Sequence, residues 1–97
     1  MAVKYKREYS LIIQELVDAL KHLDGYYKLI GIDDNDWIKL DDEVQGECLK
    51  TMSHDIIYGL GKEPAIPVGN GMVQYEPQLA QIRIFDGENC VHVVRLN

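Results

Sequence analysis

The chain has 97 residues, a formal net charge of −6 at neutral pH, 46% hydrophobic residues and 27% charged residues. That length holds one core and leaves no room for separate catalytic and cofactor domains, and the composition lies far from the low-hydrophobicity, high-charge corner where chains stay disordered. Charged residues interrupt every apolar run before membrane-spanning length, and residues 29–63 carry nine acids against three bases, a distribution that repels a phosphate backbone.

The opening MAVKYKREYSLIIQE lacks the continuous apolar run of a signal peptide, so the cytoplasm is the expected compartment, with no membrane association. Cys48 and Cys90 are too few for a secreted disulfide scaffold and fit reduced thiols, with one disulfide left open to them. Tyr9, Ile12, Ile13, Leu16, Leu20 and Leu23 recur at steps of three and four, which predicts an amphipathic helix over about 7–24 that stops at Gly25. Lys4, Lys6 and Arg7 would be unfavourable at the positive end of that helix. Helix stability therefore does not explain them, and the acidic segment of the same or another chain could pair with them.

Between the helices, Tyr26, Tyr27, Leu29, Ile30 and Ile32 are too apolar for water and are expected to pack on the core as a short helical turn or strand. A second stripe, Leu40, Val44, Cys48, Leu49, Met52, Ile56, Ile57 and Leu60, predicts a helix over about 37–60, ended by Gly59 and Gly61 and sealed by Pro64 and Pro67.

After Lys62 the apolar period changes from about 3.6 to about 2, the mark of leaving helix for sheet. Strands are expected at about 65–68, 72–75, 79–85 and 90–96. An Asn70-Gly71 turn would pair Val68 with Val73 and Ile66 with Tyr75, on an edge strand that tolerates Pro67. A loop of Asp86, Gly87, Glu88 and Asn89 would pair Phe85 with Cys90, Ile84 with Val91, Arg83 with His92 and Ile82 with Val93. Ile82, Ile84, Val91 and Val93 then form a core face, and Phe85, Cys90, His92, Val94 and Leu96 a second, half-apolar face that needs a cover. The expected fold is α+β in a single domain, 1–97: two amphipathic helices, then a three- to four-stranded antiparallel meander packed against them.

GIDDNDWIKLDDE, residues 31–43, gathers Asp33, Asp34, Asp36, Asp41, Asp42 and Glu43 around the only tryptophan, Trp37. A calcium loop needs alternating acids, a glycine at the sixth position and a glutamate at the twelfth, which this stretch does not supply. Helix capping by Asp34, Asn35 or Asp36 explains the acids, while Trp37 suits either a partner or an anchor for the linker. Cys48, His54, Cys90 and His92 invite zinc, but Cys48 and His54 point about 240° apart at roughly 100° per helical residue, and two strand residues do not close a site. Cys90 and His92 as nucleophile and base lack an orienting carboxylate. Gly59-Leu60-Gly61-Lys62 lacks the strand-then-helix setting of a phosphate loop.

No cofactor, metal or catalytic set is therefore expected, nor direct nucleic-acid binding. The expected role is that of a small non-enzymatic interaction or regulatory module, of bacterial or phage type. Its surfaces would be the acidic segment with Asp33, Asp34, Asp36, Trp37, Asp41 and Asp42, and the sheet face with Phe85, His92, Val94 and Leu96. A homodimer formed through that face or through the edge near Pro67 is a further expectation. The alternatives are an acidic mimic of nucleic acid that inhibits a DNA- or RNA-handling enzyme, and a small enzyme using Cys90 and His92.

Overall fold

A computed structural model of the chain describes residues 2–97. Its helices are α1 (Tyr9–Leu20), α2 (Asp34–Lys39) and α3 (Asp42–Leu60), with a 3₁₀ turn at Tyr26–Ile30 before α2. The strands β1 (Ala65–Val68), β2 (Gly71–Glu76), β3 (Gln81–Asp86) and β4 (Asn89–Arg95) form an antiparallel meander in the order β1-β2-β3-β4. The fold is α+β, with helices packed on one face of the sheet: α1 lies against β4, α3 against β1, and the two helices touch each other. Among the described residues no helix is long and apolar enough to cross a membrane.

The apolar rhythm of α1 does what it predicts. Ile12, Leu16 and Leu20 are fully buried, and Leu23 remains in the core although the helix has already tightened into i→i+3 bonds from His22 and Leu23. The helix is shorter than 7–24 at both ends. Glu8 is already extended at φ −57°, ψ 130°, so Lys4, Lys6 and Arg7 lie outside the helix and never meet its positive end. They belong to a segment that crosses the end of the sheet: Lys6 and Arg7 donate backbone N–H to the Leu96 carbonyl, and Val3 is buried in the core.

The helix expected over 37–60 is two helices. Leu40 and Asp41 are extended, and the Asp41 carboxylate accepts from the Val44 N–H at 2.9 Å, starting α3 afresh. An acid that can cap competes with continuing the helix, and this stretch supplies one at the break. Only the later part of the α3 stripe is core: Leu49, Met52, Ile56, Ile57 and Leu60 are buried, whereas Val44 is 42% exposed. Ser53 is buried among them with a hydroxyl that has no hydrogen-bond partner among the described residues.

Both hairpin registers differ from expectation. In the first, Val68 pairs with Gly71 and Ile66 with Val73, so the turn is Gly69-Asn70. Gly69 takes φ +56° while Asn70 stays negative, the pattern of a type II′ turn, which needs glycine first. Gly71 is then a strand residue, and a Cβ there would run into the Phe85 carbonyl oxygen and the Leu23 side chain. The two-residue shift leaves every side chain on its expected face.

In the second, Phe85 pairs with Cys90 as expected, but a bulge follows and Ile84 pairs with His92, Arg83 with Val93, and Ile82 with Val94. The extra residue is Val91, and it reverses the facing of everything after it. Val94 and Leu96 are 0% exposed and lie in the core with Ile82 and Ile84, whereas Val91 and Val93 are exposed. The assignment of Val91 and Val93 to the core and of Val94 and Leu96 to the second face is therefore reversed, because a bulge leaves no mark in a simple alternation.

Candidate functional site

The acidic segment is built around an aromatic clasp. The Trp37 ring stacks on Tyr27 at 5.0 Å and 17°, and meets the edge of Tyr26 at 5.5 Å. Trp37 is 5% exposed, so it anchors α2 to the 3₁₀ turn and offers no surface to a partner. The Asp33 carboxylate caps α2 by accepting from the Asp36 N–H at 2.8 Å, a position that the sequence had assigned to one of the next three residues. Asp34 accepts from the Tyr27 hydroxyl and lies 3.9 Å from the Lys28 ammonium. The hydrogen bond to Asp34 is the main reason the Tyr27 hydroxyl is pushed up to about 12. Asp36 and Asp42 are exposed acids in the first turns of their helices, suited to the positive dipole ends. Gln45 closes the break by donating from its side chain to the Trp37 carbonyl at 2.8 Å.

The break leaves the early part of the α3 stripe uncovered. Val44, Cys48 and Thr51 lie at helical spacing on one side of a shallow groove of about 470 Å³, with Ile30 of the 3₁₀ turn opposite and Glu43 and Glu47 at its rim. A second depression shares Ile30 and continues along Met52, Asp55 and Ile56 to Ile66 of β1. From residue 43 to residue 56 the groove follows about 20 Å of helix at 1.5 Å per residue. Both of its apolar lips are open to solvent, Val44 at 42% and Ile30 at 37%. The sequence signalled it twice without joining the signals: the linker was too apolar for water, and the α3 stripe began earlier than its core.

The outer sheet face carries Pro67, Met72, Phe85 and Cys90 in one row across the four strands. Phe85 is thus on the second face as expected, half-buried among its neighbours. His92 is not. The bulge turns its ring toward α1, where Nε2 lies 2.7 Å from the Glu15 carboxylate, whose other oxygen accepts from Arg7 at 2.5 Å. Burial pushes the Glu15 carboxyl up, but the hydrogen bonds and charges of Arg7 and His92 outweigh it and hold the group below the usual carboxylate range. This network joins the N-terminal segment, α1 and β4, and a spacing of 77 residues between Glu15 and His92 hid it from sequence reasoning.

The same bulge separates Cys90 from His92. The thiol lies on the outer side with Phe85 and approaches only the His92 carbonyl, at 3.5 Å, while the imidazole is on the helix side. The expectation that the two share a strand face is corrected. Cys48 and Cys90 are both free thiols, and His54 is hydrogen-bonded to the Tyr9 hydroxyl at 2.9 Å. Among the described residues no three His, Cys, Asp or Glu side chains gather closely enough to share a metal ion. In a polar cleft of about 500 Å³ between Tyr27, Lys28, Asp34 and Asn70, the first three side chains are already bonded to one another and the Asn70 N–H is taken by the Asp24 carbonyl.

Comparison with protein families, with curated proteins and with solved structures finds no match for the chain.

Proposed function

We propose that the protein is a non-enzymatic interaction module that receives a basic, amphipathic helical segment of a partner protein in the groove between the 3₁₀ turn and α3. The observation that carries this reading is the uncovered beginning of the α3 stripe, where exposed Val44 and Ile30 line the groove together with Glu43 and Glu47. An apolar floor rewards an apolar helix stripe, and a carboxylate rim selects bases beside it. The groove is long enough for about three to four turns of helix. Asp33 and Asp41 are occupied as caps and Trp37 is interior, so of the acids at the two helix starts Glu43 alone lines the groove and the others contribute field, not contact. A nucleic-acid mimic would need carboxylates in two long rows, and most acids of residues 33–43 are instead gathered at those helix starts.

The test is fluorescence anisotropy with a labelled peptide of about 14 residues whose leucines repeat at helical spacing and whose other positions are lysine. Binding in the range of about 10–100 µM is expected, weakened by salt, and at least about tenfold weaker for Val44→Lys or Glu47→Lys. A matched peptide with glutamate in place of lysine should not bind. Equal binding of both peptides, or binding indifferent to Val44→Lys, refutes the reading.

A further inference from the structure

The two edges of the sheet are finished differently. Tyr75 donates its N–H to the Pro64 carbonyl at 2.9 Å, so Pro64, Ile66 and Val68 turn their backbone groups toward β2 and Pro67 turns outward, where it has no N–H to offer. The chain at Asp24 also lies against that end, accepting from the Asn70 N–H at 3.0 Å. The β4 edge is interrupted by its bulge at Val91 and capped at its end by the Arg7 guanidinium on the Arg95 carbonyl, which leaves Val93 open between them. Leu96 donates to the Ala80 carbonyl and the Arg95 carbonyl accepts from Arg7, so even-numbered residues at this end face β3 and odd-numbered ones face away. Val93 therefore turns its N–H and C=O away from β3, and no hydrogen bond reaches them among the described residues.

Charge along β4 runs from acid to base. Asp86 and Glu88 are exposed at its start, while Arg95 and Lys6, the latter held beside Leu96 by its backbone bond, are exposed at its end. Among the described residues none of the four is in an ion pair. We propose that β4 pairs antiparallel with β4 of a second copy, making one continuous sheet about a two-fold axis near Val93. Antiparallel pairing brings the Glu88 end of each β4 alongside the Arg95 end of the other, twice by symmetry, whereas parallel pairing would set like-charged ends together. Exposed Val93 then meets its counterpart at the axis, and exposed Val91 of each copy lies toward Arg95 of the other. This surface is separate from the α3 groove, since β4 lies under α1 and not under α3.

Sedimentation equilibrium from about 5 µM to about 0.5 mM tests it, with half-dimerisation expected at about 10–100 µM. The mass should rise toward twice the 11.1 kDa of the chain. Arg95→Glu replaces two attractions with two repulsions and should weaken the dimer about 10–30-fold. Adding Glu88→Lys to it should restore wild-type association. Within one chain these two residues lie about 20 Å apart along the strand, so only a contact between copies can be rescued by the swap. Amide exchange at Val93 should slow as concentration rises. A monomer at every concentration overturns the proposal, as does a dimer insensitive to Arg95→Glu, an exchange of charges that fails to rescue, or a Val93 amide that exchanges equally fast in the dimer.

Discussion

Alanine placed in turn at Val93 and Val94 separates two registers of β4 that differ by one residue. Val94 is fully enclosed and Val93 is 37% exposed. Val94→Ala removes two methylene equivalents from a closed core, about 1.6 kcal/mol at ~0.8 kcal/mol each, and leaves a cavity that raises the cost to about 2–3 kcal/mol. Val93→Ala loses only strand preference on the outer face, about 0.5 kcal/mol. For a chain of this size the first corresponds to a fall in Tm of about 10–20 °C and the second to a few degrees. Urea unfolding followed by far-ultraviolet dichroism measures both, compared at unchanged m-value and at dilute concentration so that association does not contribute. Deleting Val91 follows the same logic, because it irons out the bulge while leaving His92, Val94 and Leu96 facing inward, and should cost less than about 1 kcal/mol. If Val93→Ala proves as costly as Val94→Ala, the bulge is misplaced and the separation of Cys90 from His92 falls with it.

Ser53→Ala should stabilise the protein by about 0.5–2 kcal/mol, because it removes a buried hydroxyl without a partner among the described residues and improves helix propensity, and a thermal melt reads it directly. Glu15→Gln should destabilise by about 1 kcal/mol at neutral pH by weakening the bonds from Arg7 and His92. The folded carboxyl titrates below its ordinary value of 4.5, so its contribution is fully present above that value and is lost as pH falls through the lower folded one. The gap in Tm between wild type and Glu15→Gln should therefore be widest above about pH 5 and close on acidification, and a gap that widens in acid refutes the assignment.

The succession of helices and meander was legible because each element writes its own period, and α1 and β3 place their apolar residues as that period requires. What was not legible depends on one-residue events. Val91 interrupts β4 without interrupting its composition, so the reading put Val91 and Val93 where Val94 and Leu96 belong. Gly69 and Gly71 are two glycines around one asparagine, and only the close approach of Phe85 and Leu23 to Gly71 shows which of them makes the turn. Capping was legible in kind, and the structure moved it to Asp33 and added Asp41 as the start of a separate helix. The groove was hidden because Ile30 and Val44 meet only after that break.

Pro67 limits how far any sheet made from this protein could grow. A molecule with two receptive rims can add neighbours without end, which is how ribbons and fibrils begin. Here one rim lacks a donor at Pro67, which faces outward, and has Asp24 held against its end, so a further strand beyond β1 is disfavoured by the chain itself. If β4 pairs with a second copy as proposed, the resulting eight-stranded sheet carries a Pro67 edge at each end and closes as a counted assembly.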